Sequence, residues 1–375
     1  MRSPSGRRGR RLSVASALVL VAAGAAWAGG SPLAARAADP VPMCFGMPAT
    51  IVGTADDDTL TGTHGDDVIV GLEGTDTISA TDGGTDRICA GHNDRRLNAD
   101  GVPRYEKITL EGNGFVDGGS GLDTIETAFA SSVQILGGSN PTVHDDRGRL
   151  WRERIVVKDA MDVDISSGDG PDNVDVYLGG GGGTVATVDA GAGHDVVTCS
   201  GDFAERCEVQ GGRGTGNDRL SAGDVFTVEL FGGSGNDVLS GRDFSIEMDG
   251  GPGNDALYSR GETDTLRGGS GADRLTLTST EYSERPHILQ GGTGDDYLVG
   301  NVSPERFGGG DGSDTVRAGG GNDAVWGGTG SDVLGGAAGR DSLYGDAGVD
   351  ANYGGPGSDL CRSPSRGPRA HSCQR

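Results

Sequence analysis

Along the C-terminal third of the chain, single apolar residues recur at a fixed interval inside polar, glycine-rich surroundings. Written in nines from Gly309, the sequence reads GGDGSDTVR, AGGGNDAVW, GGTGSDVLG, GAAGRDSLY, GDAGVDANY and GGPGSDLC. The eighth place is apolar in every block but one, and Gly holds the fourth place throughout. Gly at the first, second and fourth places predicts positive φ angles and a tight turn. The last three places predict a very short strand whose middle residue points inward. A three-residue strand has almost no stability alone, so it must stack on its neighbours. Two such turns and two strands close one coil of eighteen residues. The expected fold is all-β, a right-handed parallel β-roll or β-solenoid with a thin core of Val, Leu and Ile.

The same phase extends upstream. GGTGDDYLV begins at Gly291, and a degenerate block from Gly300 keeps the count. GGSGNDVLS (Gly232), GRDFSIEMD (Gly241), GGPGNDALY (Gly250), SRGETDTLR (Ser259) and GGSGADRLT (Gly268) again step by nine. A 14-residue insertion, Leu277 to Gln290, separates these arrays. Near the N-terminus GTHGDDVIV (Gly62) and GLEGTDTIS (Gly71) form a further pair, led into by GTADDDTL. Isolated units recur at Gly118 and Ala190, with RGTGNDRLS (Arg213) one register off and a weaker block at Ser167.

These blocks resemble the hemolysin-type (RTX) calcium-binding nonapeptide GGxGxDxUx. The clear units cover about residues 53–90 and 232–361, and those at Gly232, Gly250, Gly268, Gly291 and Gly309 match every fixed position. The resemblance implies a serralysin-like parallel β-roll in which several Ca²⁺ ions sit between successive turns. The residues suit that chemistry, because Ca²⁺ takes six to eight hard oxygens from carboxylates and carbonyls. Glycine turns expose carbonyls, and the sixth-place Asp supplies an anion. Candidate ligands are Asp67, Asp76, Asp237, Asp255, Asp273, Asp296, Asp314, Asp323, Asp332, Asp341, Asp350 and Asp359. With eighteen residues per coil, units two apart share a site, as in Asp314 with Asp332 or Asp237 with Asp255. The blocks at Gly241 and Gly300 lack the turn motif, so one flank of their coils is expected to carry no metal. Asp123, Asp172 and Asp195, in isolated units, carry less weight.

Composition agrees with a narrow core: 72 of 375 residues are Gly, and aromatics make up 5%. A net charge of −24 excludes nucleic acid as the main partner, since a phosphate binder needs a basic face. Stacked carboxylates would repel in such a chain unless a cation bridged them. Folding is therefore expected to depend on Ca²⁺.

Residues 1–37 carry six arginines and no acids, and an apolar run from Leu12 to Ala28 follows the first five. This reads as a signal peptide with small-residue cleavage options at Ala26–Ala28 and Ala35–Ala37. The Sec and twin-arginine routes both remain open, and the expected location is extracellular. Relatives with these repeats often leave through an uncleaved C-terminal signal, a route this chain is not expected to use. No later stretch is long and apolar enough to span a bilayer.

In an oxidising compartment six cysteines favour disulfides over a zinc site, which would need CxxC-type spacing. Local pairing gives Cys44–Cys89, Cys199–Cys207 and Cys361–Cys373 among fifteen possible connectivities. The expected organisation is a leader (1–37), N-terminal repeats (38–91), and a degenerate solenoid or inserted β region (92–231). The C-terminal roll (232–361) and a stapled tail (362–375) follow. In the middle region Trp151–Lys158, Val185–Val188 and Val225–Val228 read as strands.

The chain contains neither HExxH nor GxSxG. Its histidines (His64, His92, His144, His194, His287, His371) are scattered and read as surface residues, and Asp145-Asp146 earns no catalytic role. The expected function is non-enzymatic calcium binding. An adhesion or matrix role at a cell surface, or an accessory role toward polysaccharide, is the alternative.

Overall fold

The computed structural model describes residues 40–81, 83–92, 105–120, 122–138, 152–179 and 183–363, together with Cys373. The leader, His144, Asp145-Asp146, Trp151, His371 and most of the tail lie outside the described residues. Apart from an antiparallel hairpin of Met43–Cys44 with Met47–Pro48, all described strands join one ladder of parallel pairings. The result is a parallel β-solenoid of about fifteen turns, with no helix among the described residues. No helix among the described residues is therefore long and apolar enough to cross a membrane.

Alternate strands stack on each other. Glu305–Asp311 pairs with Ala324–Gly330, which pairs with Ser342–Gly348, while Thr315–Gly321 between them pairs with Val333–Gly339. Arg306 stands opposite Ala324 and Trp326 opposite Tyr344, eighteen residues apart in each case. The eighth-place side chains fill the interior from both walls: Leu298, Val316 and Leu334 from one, Leu289, Phe307, Val325 and Leu343 from the other. Each contributes roughly 1.5–3 kcal/mol by leaving water. Asn352, the one polar residue at this place, is also buried and donates to the Arg362 carbonyl at 3.2 Å.

Two local expectations need correction. Tyr297–Val299, Ala351–Tyr353 and Leu360–Arg362 have the expected three residues, but many strands are longer because the turn glycines pair as well: Gly292 faces Gly310, and Gly310 faces Gly328. Most repeat strands span seven residues, and Val238–Pro252 and Ala256–Ser270 reach fifteen. The first-place glycines do not adopt positive φ. Only the second and fourth places do, as at Gly310 (118°) and Gly312 (137°), and Ala337 and Asp346 accept it at the second place without being glycine.

The middle region continues the solenoid in irregular coils. Tyr105–Glu111, Leu122–Ala128, Glu153–Ala160, Asp172–Leu178 and Val196–Gln210 pair in succession. The insertion after Thr276 is also part of the ladder. His287–Thr293 pairs with Ala256–Ser270 on one side and Glu305–Asp311 on the other, with Leu289 buried between Leu266 and Phe307. Residues 282–290 are thus a disguised nonamer, and only 277–281 are additional. All three expected disulfides are present, with Cα separations of 5.7, 6.5 and 5.7 Å.

Candidate metal centre

Each coil brings its sixth-place carboxylate directly beneath that of the coil before. The backbone N–H of Asp237 donates to Asp255 Oδ1 at 2.8 Å, and the same bond repeats from Asp255 to Asp273, Asp273 to Asp296, Asp296 to Asp314 and Asp314 to Asp332 (2.8–2.9 Å). Asp332 continues to Asp350 at 3.3 Å. On the opposite flank Asp323 donates to Asp341 and Asp341 to Asp359, both at 3.0 Å. Two columns result, with every member buried. The candidate Asp pairs are brought together as the eighteen-residue coil requires.

One oxygen of each carboxylate is thereby satisfied. The other, Oδ2, is buried without a hydrogen-bond donor at Asp76, Asp237, Asp255, Asp273, Asp296, Asp314, Asp323, Asp332, Asp341 and Asp359. In the units that begin with glycine, such as those of Asp255, Asp273 and Asp314, it lies against that first residue. A Cβ on Gly309 would stand 2.3 Å from Asp314 Oδ2 and 2.4 Å from the Gly327 carbonyl oxygen of the next coil. Gly250 and Gly268 show the same arrangement with Asp255 and Asp273. At these positions close approach leaves no room for a Cβ unless one of two converging oxygens moves, whereas the coils of Asp195 and Asp323 accommodate Ala190 and Ala318 at the same place.

Burial pushes these carboxyls up, and backbone N–H donation only partly offsets it. Asp255 and Asp296 are raised to about 7 and Asp314 to about 6, with neighbouring carboxylates adding to the rise. Asp237, Asp273, Asp332 and Asp341 shift in the same direction for the same leading cause.

Two candidates differ from the rest. Asp67 donates its N–H to Asp86 Oδ1 at 2.9 Å, but its Oδ2 accepts from the Thr63 hydroxyl at 3.0 Å and from the Thr63 N–H. Asp350 Oδ2 accepts from Ser363 Oγ at 2.8 Å.

The columns also hold residues outside the continuous nonamer phase, among them the lesser candidates Asp172 and Asp195. Asp172, Asp195 and Asp218 extend the first column upward through bonds of 2.7–2.8 Å to Asp237, with coils of 19 or 23 residues. Asp195 and Asp218 are raised to about 8 and about 7, chiefly by burial. Asp86 joins Asp67 across 19 residues. Glu305 heads the second column, its N–H donating to Asp323 Oδ1 at 2.9 Å, so the flank of the Gly300 coil is not without a carboxylate. Burial and the facing Asp323 push Glu305 up. Above it His287 takes the same place: its Nδ1 accepts the Asp264 N–H at 3.2 Å. His287 is buried, contrary to the surface role expected for it. Counting sixth places in 282–290 and 300–308 finds both residues.

Among the described residues no three acidic, His or Cys side chains converge on one point. A cation between coils would have to combine one or two carboxylates with backbone carbonyls. That all-oxygen donor set suits a hard ion such as Ca²⁺, and the donor-less Oδ2 row fits it. A family model described as the RTX calcium-binding nonapeptide repeat (four copies) matches residues 50–78, 229–243, 248–277, 288–302, 309–334 and 326–361, together less than half of the chain. No curated protein matches the chain.

Proposed function

From a chain that carries RTX hemolysin-type calcium-binding nonapeptide repeats stacked as a parallel β-solenoid, we propose a secreted protein whose roll folds on Ca²⁺ and acts by binding rather than catalysis. The row of buried Oδ2 atoms without donors carries this reading. A buried carboxylate without a partner or countercharge is costly, and these columns stack several at each rung spacing. Asp237, Asp255, Asp273, Asp296, Asp314 and Asp332 would hold ions along one flank, and Asp323, Asp341 and Asp359 along the other, with glycine carbonyls completing each set. Bound Ca²⁺ supplies the positive charge that lets neighbouring carboxylates stay ionised while packed.

Only the stacked coils bring these oxygens together, so ion binding adds to folding free energy. An affinity in the extracellular range, about 10⁻⁴–10⁻³ M, is expected. The arginine-rich leader and the three disulfides support export to an oxidising compartment. Far-UV circular dichroism during chelator titration tests the proposal. The β signal is expected to collapse and to return on adding Ca²⁺, and a signal indifferent to complete calcium removal would contradict it.

A further inference from the structure

An irregular part of the C-terminal roll builds a cleft. The additional residues 277–281 bulge beside the corners of Val238–Pro252 and Ala256–Ser270 and enclose about 720 Å³. The excursion is pinned in place: Thr278 N–H donates to the Ser259 carbonyl at 2.7 Å and Ser283 N–H to Ser303 Oγ at 2.9 Å. It presents Tyr282, 64% exposed, on one wall, and Phe244, 45% exposed, stands on another.

Phe244 also ends a file of rings along the same edge. Its centroid lies 5.2 Å from that of Phe226, which lies 6.3 Å from that of Phe203, and Phe203 is 70% exposed. Corners with positive φ at Phe203 (61°), Asp224 (60°) and Asp243 (110°) set this edge. A bulky residue at positive φ is strained, and an ordered row of exposed rings gains little from packing. Such a surface marks a ligand.

The surroundings select the ligand's chemistry. Three arginines (Arg242, Arg260, Arg285) face five carboxylates across the cleft, so there is no cationic excess for a phosphate or a polyanion. A lipid is disfavoured by that polar lining. The flanking strands are hydrogen-bonded on both sides, which blocks a peptide from adding as a strand. A molecule with flat apolar faces and many hydroxyls satisfies both the rings and the mixed charges. The rung spacing of ~4.8 Å is comparable to one sugar of an extended chain.

We propose that this edge binds a neutral glycan, with Phe203, Phe226 and Phe244 as stacking platforms and Tyr282 closing the cleft. Calcium-saturated mature chain is titrated calorimetrically with cellohexaose, xylohexaose, mannohexaose and chitohexaose. At least one is expected to bind. Phe244→Ala and Tyr282→Ala are each expected to weaken that binding tenfold or more, with calcium uptake and far-UV spectrum unchanged. Trp326→Ala, on a different face, leaves it intact. If Phe244→Ala disturbs the corner, Tyr282→Ala on the excursion carries the test alone. Failure of all four sugars to bind overturns the proposal, and so does binding indifferent to Tyr282. Binding confined to polygalacturonate, and abolished by Asp314→Asn rather than by Tyr282→Ala, would likewise overturn it by locating the ligand on the acidic columns.

Discussion

Gly308 and Gly309 are neighbours in one strand, yet a methyl group meets opposite surroundings at each. On Gly309 it would lie 2.3 Å from Asp314 Oδ2 and 2.4 Å from the Gly327 carbonyl oxygen. No real Cβ tolerates such distances, so the next coil must lift or the carboxylate must swing away. Overpacking of this kind costs about 1–3 kcal/mol. Moving the carboxylate also forfeits the bond that Oδ1 accepts from Asp296 N–H, about 1 kcal/mol more. On Gly308 the methyl has nothing within 4 Å, and φ is not positive. There Gly→Ala removes unfolded-state freedom and stabilises by about 0.4–1 kcal/mol. The two single-methyl variants should therefore differ by about 3 kcal/mol, with opposite signs relative to the parent. Stacked coils can unfold piecewise, so a local reporter is preferable to a global midpoint. Trp326 pairs directly with Gly308 and serves as one by fluorescence. In saturating Ca²⁺ the urea midpoints of Gly308→Ala and Gly309→Ala should separate by on the order of 1 M, Gly309→Ala lying lower. Equal midpoints, or the reverse order, would refute the argument that the first glycine exists for the carboxylate and the carbonyl.

Asp314→Asn keeps an acceptor for Asp296 N–H but removes a buried charge, so it should retain more far-UV β signal than the parent in chelator while taking up less calcium; a change of the opposite sign in either reading would refute the charge argument. The metal-free protein should also respond to pH. Asp255 and Asp296 have folded values near 7, above the ordinary value of 3.8, so their contribution is fully present below about pH 4 and lost as pH rises through 7. The far-UV β signal that remains in calcium-stripped buffers should fall steadily between pH 4 and pH 8, and a rise across that window would refute the burial argument. Removing Cys199–Cys207, which closes 8 residues, should cost about 2.5 kcal/mol, and removing Cys44–Cys89, which closes 45, about 4 kcal/mol. Denaturant melts of the Cys→Ser pairs measure both, and an N-terminal loss smaller than the Cys199–Cys207 loss would contradict the loop-closure reasoning.

The stacking itself was legible because glycine holds the phase of the nonamers. Once the fourth and sixth places are anchored, the inward Val316, Val325, Leu334 and Leu343 follow, as do the Asp pairs eighteen apart. Where a coil lengthens, the phase slips and the eye loses the column. Asp86 sits behind a one-residue slip, and Asp195 and Asp218 behind coils of 23, although space restores them to the same ladder. His287 and Glu305 were hidden by chemistry instead, since imidazole Nδ1 and a glutamate occupy places that elsewhere belong to aspartate. The reason for the first glycine was not readable locally, because half of it is a carbonyl eighteen residues away. The row Phe203, Phe226 and Phe244 was invisible for a related reason. Its spacing of 23 and then 18 residues becomes one line only when the coils stack.

The central claim is that the buried, donor-less carboxylate oxygens exist to share divalent cations between coils. Calcium stoichiometry on the chain, by calorimetry with parallel atomic absorption, addresses it most directly. With one ion between each pair of stacked carboxylates, the columns from Asp237 to Asp350 and from Glu305 to Asp359 predict on the order of nine ions per chain. Their release should unfold the roll. A folded chain that takes up no calcium at millimolar concentration would contradict the claim.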